Sequence, residues 1–371
     1  MPRRTSDPDS PTRIAVVGTV GVPASYGGFE TLAQSLVEYH AKHAHPSDLT
    51  VYCASKAYRS QPTAMLNARL RYVPLSANGA QSIPYDIWSM LSALRQGTDT
   101  LLVMGVSGAL ALPLIRAVSR ARIVTNIDGI EWKREKWRGP ARLILRWSER
   151  AAVRWSHAVI ADNAAIADHV RDRYGVDSHV IAYGGDHALA AEAVADPALN
   201  LPQSYALALC RIEPENNVAM ILQAFAQMPE RELVFVGNWD NSDFGRKLKA
   251  RYRDHANIFL VDPVYDAGRL RWIRNGAHAY VHGHSAGGTN PSLVEMMHFG
   301  VPVLAHGCSF NRNSTEDRAL YFQTSEELMR IVQSLKPEAA SEIGASMREI
   351  ARRRYTWDHV GRAYFDLIAE A

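Results

Sequence analysis

The chain has 371 residues, 47% of them hydrophobic, and a formal net charge of only +3. That length supports two ordinary hydrophobic cores, and so small a charge supplies no global field to recruit nucleic acid. The cysteines Cys53, Cys210 and Cys308 are odd in number and lack metal-ligand spacing, which argues against a disulfide framework and points to a reducing compartment.

Residues 1–12 are polar and proline-rich, with no apolar run of the kind a signal peptide needs, and are expected to form a disordered tail. Strands are then predicted at Arg13–Gly18, Leu49–Cys53, Leu70–Pro74, Thr100–Met104, Arg122–Asn126, His157–Ala161 and His179–Ala182. Helical patterns between them begin near Phe29, Pro84, Gly108, Gly139 and Asp162. The longest apolar stretch, Leu101–Ile115, is broken by Gly105, Ser107, Gly108 and Pro113. A spanning helix needs about 20 apolar residues, so this stretch reads as a buried strand followed by a helix, and the chain is expected in the cytoplasm. After Tyr183-Gly184-Gly185-Asp186 a second series of strands is predicted at Tyr205–Leu209, Leu233–Val236, Ile258–Val261, Ala279–Val281 and Pro302–Ala305. Helices near Glu338–Arg354 and from Trp357 onward close the chain. Strands alternating with helices in two series imply two Rossmann-like lobes facing a cleft, with ligand at the strand carboxyl ends.

The stretch HSAGGTNPSLVE at 284–295 is the most informative. Gly287 and Gly288 allow close backbone approach to a ligand, and Pro291 suits the first turn of a helix. The free N–H groups at that helix start make a seat for phosphate, and Glu295, one turn in, can accept hydrogen bonds from sugar hydroxyls. A sugar joined to a diphosphate satisfies both ends. The loop after the first strand, GTVGVPASYGGF, does not match G-x-G-x-x-G. It is either a plain tight turn or a cradle for a diphosphate or acceptor sugar. His282 and His284 lack partners for a metal; His282 reads as packing, His284 as a contact to sugar or phosphate. Asp7 and Asp9 imitate a metal-binding pair but lie in the tail, and no metal is expected.

Five strings, GVPASYGGFETL at 21–32, NIDGIEWKREKW at 126–137, AYGGD at 182–186, RIEPENN at 211–217 and HGHSAGGTNPSLVE at 282–295, carry a resemblance that spans nearly the whole chain. In this order they resemble bacterial family 4 glycosyltransferases, closest to the rhamnosyltransferases of cell-surface polysaccharide assembly. The resemblance implies an α/β chain of the GT-B fold, its C-terminal helix packing back on the N-terminal lobe. Residues 13–184 are then the acceptor-binding lobe, 185–354 the nucleotide-sugar donor lobe, and 355–371 the returning helix. It further implies a retaining, metal-independent transfer of a sugar, L-rhamnose from dTDP-rhamnose, to a glycan or lipid-linked saccharide. Asp128, Arg211 and Glu295 are the expected catalytic residues. Donor binding falls to Gly27, Gly28, Arg211, Asn216, His284, Gly287, Gly288, Thr289, Asn290, Pro291, Ser292 and Glu295, and acceptor binding to Tyr26, Asp128 and Glu131.

Two positions depart from the family. Where it carries the first Glu of a Glu-x7-Glu pair the chain has Gly287, and where a Lys follows the donor-binding Arg it has Asn216. Arg211 is read either as a fork on the leaving phosphate or as a surface ion pair with Glu213 or Glu215, and the resemblance favours the first. Asp128 is read equally as a base or orienting group and as a loop cap, and Glu131 as auxiliary. Rival readings are a nucleotide-sugar epimerase and a non-catalytic glycan- or nucleotide-binding scaffold.

Arg138, Arg142, Arg146, Arg150 and Arg154 recur every four residues, interleaved with Trp132, Trp137, Trp147 and Trp155. The stripe is either a solvated helix face or a contact to anionic membrane, and a lipid-linked acceptor favours the membrane.

Overall fold

The computed structural model describes residues 11–24, 27–127, 129, 130, 132 and 139–370. The chain forms two compact units, one of residues 1–162, 166–181 and 361–371, the other of 163–165 and 182–360.

The first unit is built on β1 (Thr12–Val17), β2 (Ser47–Ala54), β3 (Ala64–Met65), β4 (Ala68–Val73), β5 (Thr100–Met104), β6 (Arg122–Ile127), β7 (Ala158–Ala161) and β8 (His179–Val180). They lie in the order β3-β4-β2-β1-β5-β6-β7-β8. Every pairing is parallel except β3 with β4. The intervening helices are α1 (Gly28–Lys42), α2 (Ser82–Arg95), α3 (Leu112–Val118), α4 (Gly139–Trp155) and α5 (Ala164–Tyr174). Strands such as TLLVM are buried along their length, as expected where helices cover both faces. One core cluster joins Tyr85, Met90 and Ala93 of α2, Leu112 and Ile115 of α3, and Ala151 and Ala152 of α4 to inward side chains of the sheet.

The second unit contains a six-stranded, wholly parallel sheet of order β11-β10-β9-β12-β13-β14. Its strands are β9 (Tyr205–Leu209), β10 (Leu233–Val236), β11 (Ile258–Val261), β12 (Ala277–His282), β13 (Val303–His306) and β14 (Leu320–Phe322). Its helices are α6 (Val218–Ala226), α7 (Asp243–Tyr252), α8 (Ala267–Asn275), α9 (Pro291–Phe299), α10 (Ser309–Ser314), α11 (Ser325–Ser334) and α12 (Pro337–Arg354). The strand order reverses between β9 and β12, the topological switch point where doubly wound sheets bind ligands beyond their carboxyl ends.

A final helix, α13 (Trp357–Ala369), begins in the second unit and from Gly361 belongs to the first. There Arg122 donates to the Leu367 carbonyl (3.1 Å), and Phe365 stacks on Tyr39 of α1. No helix of the described residues is long and apolar enough to cross a membrane.

Candidate functional site

The loops after β9 and β12 meet at the switch point. Ser285 donates to the Glu215 carbonyl through both its backbone N (3.0 Å) and its hydroxyl (2.8 Å). Asn217 Nδ2 donates to the Gly283 carbonyl (2.8 Å). These bonds tie Arg211-Ile-Glu-Pro-Glu-Asn-Asn to the start of the glycine-rich loop. Asn216, assigned to donor binding from the sequence, is buried and donates to the Arg211 carbonyl at 2.7 Å, so it shapes the loop that carries Arg211. Arg211 is 44% exposed and lies 3.8 Å from Glu213, a loose contact that leaves most of its guanidinium available.

The start of α9 corrects the expectation of free N–H groups: those of Leu293 and Val294 donate to the Asn290 carbonyl at 3.1 and 3.2 Å. Asn290 caps α9, its side chain accepting from Ser292 N (3.1 Å) and from the Ser292 hydroxyl (2.8 Å). Pro291 follows at the first helical position, where no N–H is lost. The Tyr280 hydroxyl steadies Ser292 at 2.9 Å. Gly287 has φ 124°, in the region that disfavours side chains, yet a Cβ there would meet nothing within 4 Å. A Cβ would therefore meet no steric bar at this position; the backbone conformation is what suits glycine. His284 stacks on His282 with ring centroids 4.4 Å apart. His282 is buried, and burial, reinforced by His284 and His306, holds it well below the usual imidazole range, so it stays neutral. Among the described residues no group of three His, Cys, Asp or Glu could hold a metal ion.

Glu295, on the first turns of α9, is almost enclosed. Its Oε2 accepts from Arg274 of α8, whose side chain is 5% exposed, and its Oε1 lies 3.3 Å from His187 Nε2. Burial raises the Glu295 carboxyl, but Arg274 and His187 outweigh it and hold the group below the ordinary carboxylate range. His187 is itself oriented: Trp357 Nε1 donates to its Nδ1 at 2.9 Å, so Nε2 carries the proton and donates to Glu295. The approach needs Gly185, because a Cβ there would come within 2.7 Å of Val294 and of the Glu295 backbone N. Sequence reasoning missed both partners. Arg274 stands 21 residues and His187 108 residues from Glu295, and neither lies in a glycine-rich string.

Arg211, Asn216, His284, Gly287, Gly288, Thr289, Asn290, Pro291, Ser292 and Glu295 thus all fall in the second unit. Gly27 and Gly28 belong to the first, at the start of α1. A Cβ on Gly27 would strike the Glu30 carboxylate, which accepts from Val20 N (3.1 Å) and is raised above the ordinary range chiefly by burial. Glu30 was not singled out from the sequence, although it too stands just after a Gly-Gly pair. Tyr26, Asp128, Glu131 and Arg138, like the expected disordered tail through residue 10 with Asp7 and Asp9, lie outside the described residues. Trp132 does lie beside the arginines, with Arg142 and Arg146 over its ring at 5.6 and 5.8 Å from the centroid, but it is buried, its Nε1 donating to Glu149 Oε2 at 2.9 Å. Glu149 Oε1 also takes bonds from Tyr174 (2.6 Å) and His169 (3.0 Å), so Trp132 is anchored to α4 and α5.

Two Rossmann-like lobes with parallel sheets, the second with its loops and helix start gathered at the switch point, define the GT-B architecture of glycosyltransferases. Residues 191–336 match the family model described as Glycosyl transferases group 1, and residues 12–186 match one described as Domain of unknown function (DUF1972). Together they support a glycosyltransferase. His187 falls between the two matched segments. Sucrose-phosphate synthase from Thermosynechococcus elongatus shares the fold at TM-score 0.77 and 18% identity, over 97% of this chain and 100% of that one. Anabaena HepE, in complex with UDP-glucose, does so at TM-score 0.71 and 13% identity, over 97% of this chain and 100% of that one. A putative UDP-N-acetylglucosamine 2-epimerase from Listeria monocytogenes follows at TM-score 0.64 and 14% identity, over 96% and 95%. Among curated proteins none matches this sequence.

Proposed function

We propose that this chain is a retaining glycosyltransferase that moves L-rhamnose from dTDP-rhamnose to a glycan or lipid-linked saccharide in polysaccharide biosynthesis, at the cytoplasmic face of the membrane. The observation that carries the reading is the constellation after β9 and β12: a capped helix start, a glycine-rich loop, an available guanidinium and an ionised, oriented carboxylate. The backbone of the glycine-rich loop, at the positive end of the α9 dipole, takes the donor diphosphate, and Arg211 meets the charge that grows on it as the bond to the sugar breaks. Glu295 accepts from donor hydroxyls with the lone pairs that Arg274 and His187 leave. The acceptor hydroxyl attacks the anomeric carbon from the face the diphosphate leaves. Its proton passes to the departing phosphate oxygen, so configuration is retained without a protein nucleophile. Residues 13–184 hold the acceptor and 185–354 the donor. The side chains and helix end supply the positive charge, and no metal is needed. Gly287 in place of the family carboxylate supports a 6-deoxysugar donor.

A donor panel tests this. dTDP-rhamnose with a saccharide acceptor is expected to release dTDP, and the same donor alone is not. Release of an epimerised sugar without acceptor would identify the epimerase chemistry whose fold the Listeria protein shares. Absence of turnover with every donor would leave a binding scaffold.

A further inference from the structure

The helices α2, α3 and α4 bury one side each in the same core cluster, so their opposite sides look outward from one face of the first sheet. That outer face is unusually apolar. Of the thirteen large hydrophobic residues exposed among the described residues, eight fall on these three helices and the turn leading into α3. Leu110, Leu114 and Val118 follow one another at four-residue spacing, 45%, 61% and 63% exposed. Leu143, Ile144 and Trp147 of the neighbouring α4 are 55%, 43% and 56% exposed. Isolated exposed leucines are ordinary; a contiguous field of them is not.

The charges on the same helices sort by sign. The acidic residues of α2, α3 and α4, Asp86 and Glu149, are both buried. The basic ones, Arg95, Arg116, Arg142, Arg146, Arg150 and Arg154, are all exposed. Arg150 lies over the Trp147 ring, 6.0 Å from its centroid, and Arg116 donates to the Trp155 carbonyl at 3.4 Å. A solvated helix face mixes signs and carries few leucines. A surface meant for a protein partner would offer hydrogen-bonding groups of both kinds. Exposed apolar side chains, cations with long aliphatic stems and tryptophan on the same helices match the interface of an anionic bilayer.

We infer that the α2–α3–α4 face docks on anionic membrane by shallow insertion of Leu110, Leu114, Val118, Leu143, Ile144 and Trp147, with the arginines on the lipid phosphates. The arginine periodicity alone predicts a contact that salt dissolves. The apolar field predicts a second, salt-resistant component. This inference does not depend on which sugar or acceptor is used, since it is read from binding alone.

The test is co-flotation of the full chain with vesicles of phosphatidylcholine and phosphatidylglycerol, against phosphatidylcholine alone. The wild type is expected on the anionic vesicles only. At roughly 1 M salt, where the Debye length falls to about 3 Å, a fraction should remain bound. Leu114→Ser and Trp147→Ser, both at exposed positions, should each lower that fraction about tenfold, the effect of withdrawing one partly buried apolar side chain. Arg142→Gln with Arg146→Gln and Arg150→Gln should lower low-salt binding about fivefold per arginine. Unchanged far-ultraviolet circular dichroism and melting would show that the variants fold. Failure of the wild type to float would overturn the inference. So would complete release by salt with the serine variants behaving as wild type, which would leave only a solvated basic face. A lipid-free dimer abolished by Leu114→Ser and Trp147→Ser would instead assign the face to a second copy of the chain.

Discussion

Removing Arg274 probes the Glu295 arrangement most directly. The Arg274 and Glu295 side chains are 5% and 12% exposed, so neither ion has bulk water to fall back on. Truncating one partner of such a pair costs about 3–5 kcal/mol, because the other charge stays buried without compensation. Arg274→Met should therefore destabilise the second unit by that order in urea unfolding, as should Glu295→Leu. Replacing both leaves no buried charge, so the double variant should lie well above the sum of the two losses, with a coupling of several kcal/mol. His187 has a smaller share, since it is 39% exposed and its contact is longer. Linkage gives a further check. The Glu295 carboxyl is held below its unfolded value, so the pair contributes stability above the unfolded carboxylate pKa, about 4.3, and loses it as pH falls through the folded pKa. In Arg274→Met this acid-side loss should begin at higher pH. Nucleotide affinity measured by calorimetry at pH 7 should also fall, since the carboxylate would be disoriented or protonated. Additive single losses with unchanged nucleotide binding would refute the reasoning, reducing the contact to a surface-like pair.

Arg211→Ala should lower turnover by about 10²–10³ with little change in melting, because the side chain stands in solvent yet meets the leaving group; equal rates would remove its role. Gly287→Ala should weaken donor binding through backbone strain of about 1–3 kcal/mol at its φ of 124°, not through a clash, and unchanged donor affinity in calorimetry would remove that constraint. Burial raises Asp86 to about 7 against one bond from Gly108 N (2.9 Å). A raised folded pKa means stability present below the unfolded value of 3.8 and lost as pH climbs through about 7. Asp86→Asn should abolish that slope, worth about 4 kcal/mol at 1.36 per unit, and exceed the wild type in melting at pH 8. Activity is expected to survive EDTA, and a strict requirement for Mn²⁺ or Mg²⁺ would contradict the metal-free reading.

Local pattern alone was enough for most elements. The apolar runs Thr100–Met104, Tyr205–Leu209, Leu233–Val236 and Ile258–Val261 are strands at the predicted bounds, because strands buried on both faces need nothing but continuous hydrophobicity. The helix start at Asn290-Pro291 was legible for the same reason: capping is decided within three residues. The two-residue β3 and the half-exposed β14 were not predicted, since so short a run carries no period. Other features exist only once the chain is folded. Strand order set which loops converge, placing those after β9 and β12 side by side though about 70 residues separate them. The environment of Glu295 came from α8 and from the turn at His187, both brought by packing that no spacing announces. The arginine stripe was visible as a period of four, but its meaning was not. Only tertiary structure buried Trp132, sequestered Glu149 and aligned the exposed side of α3 with that of α4, because exposure is a property of neighbours in space and not along the chain.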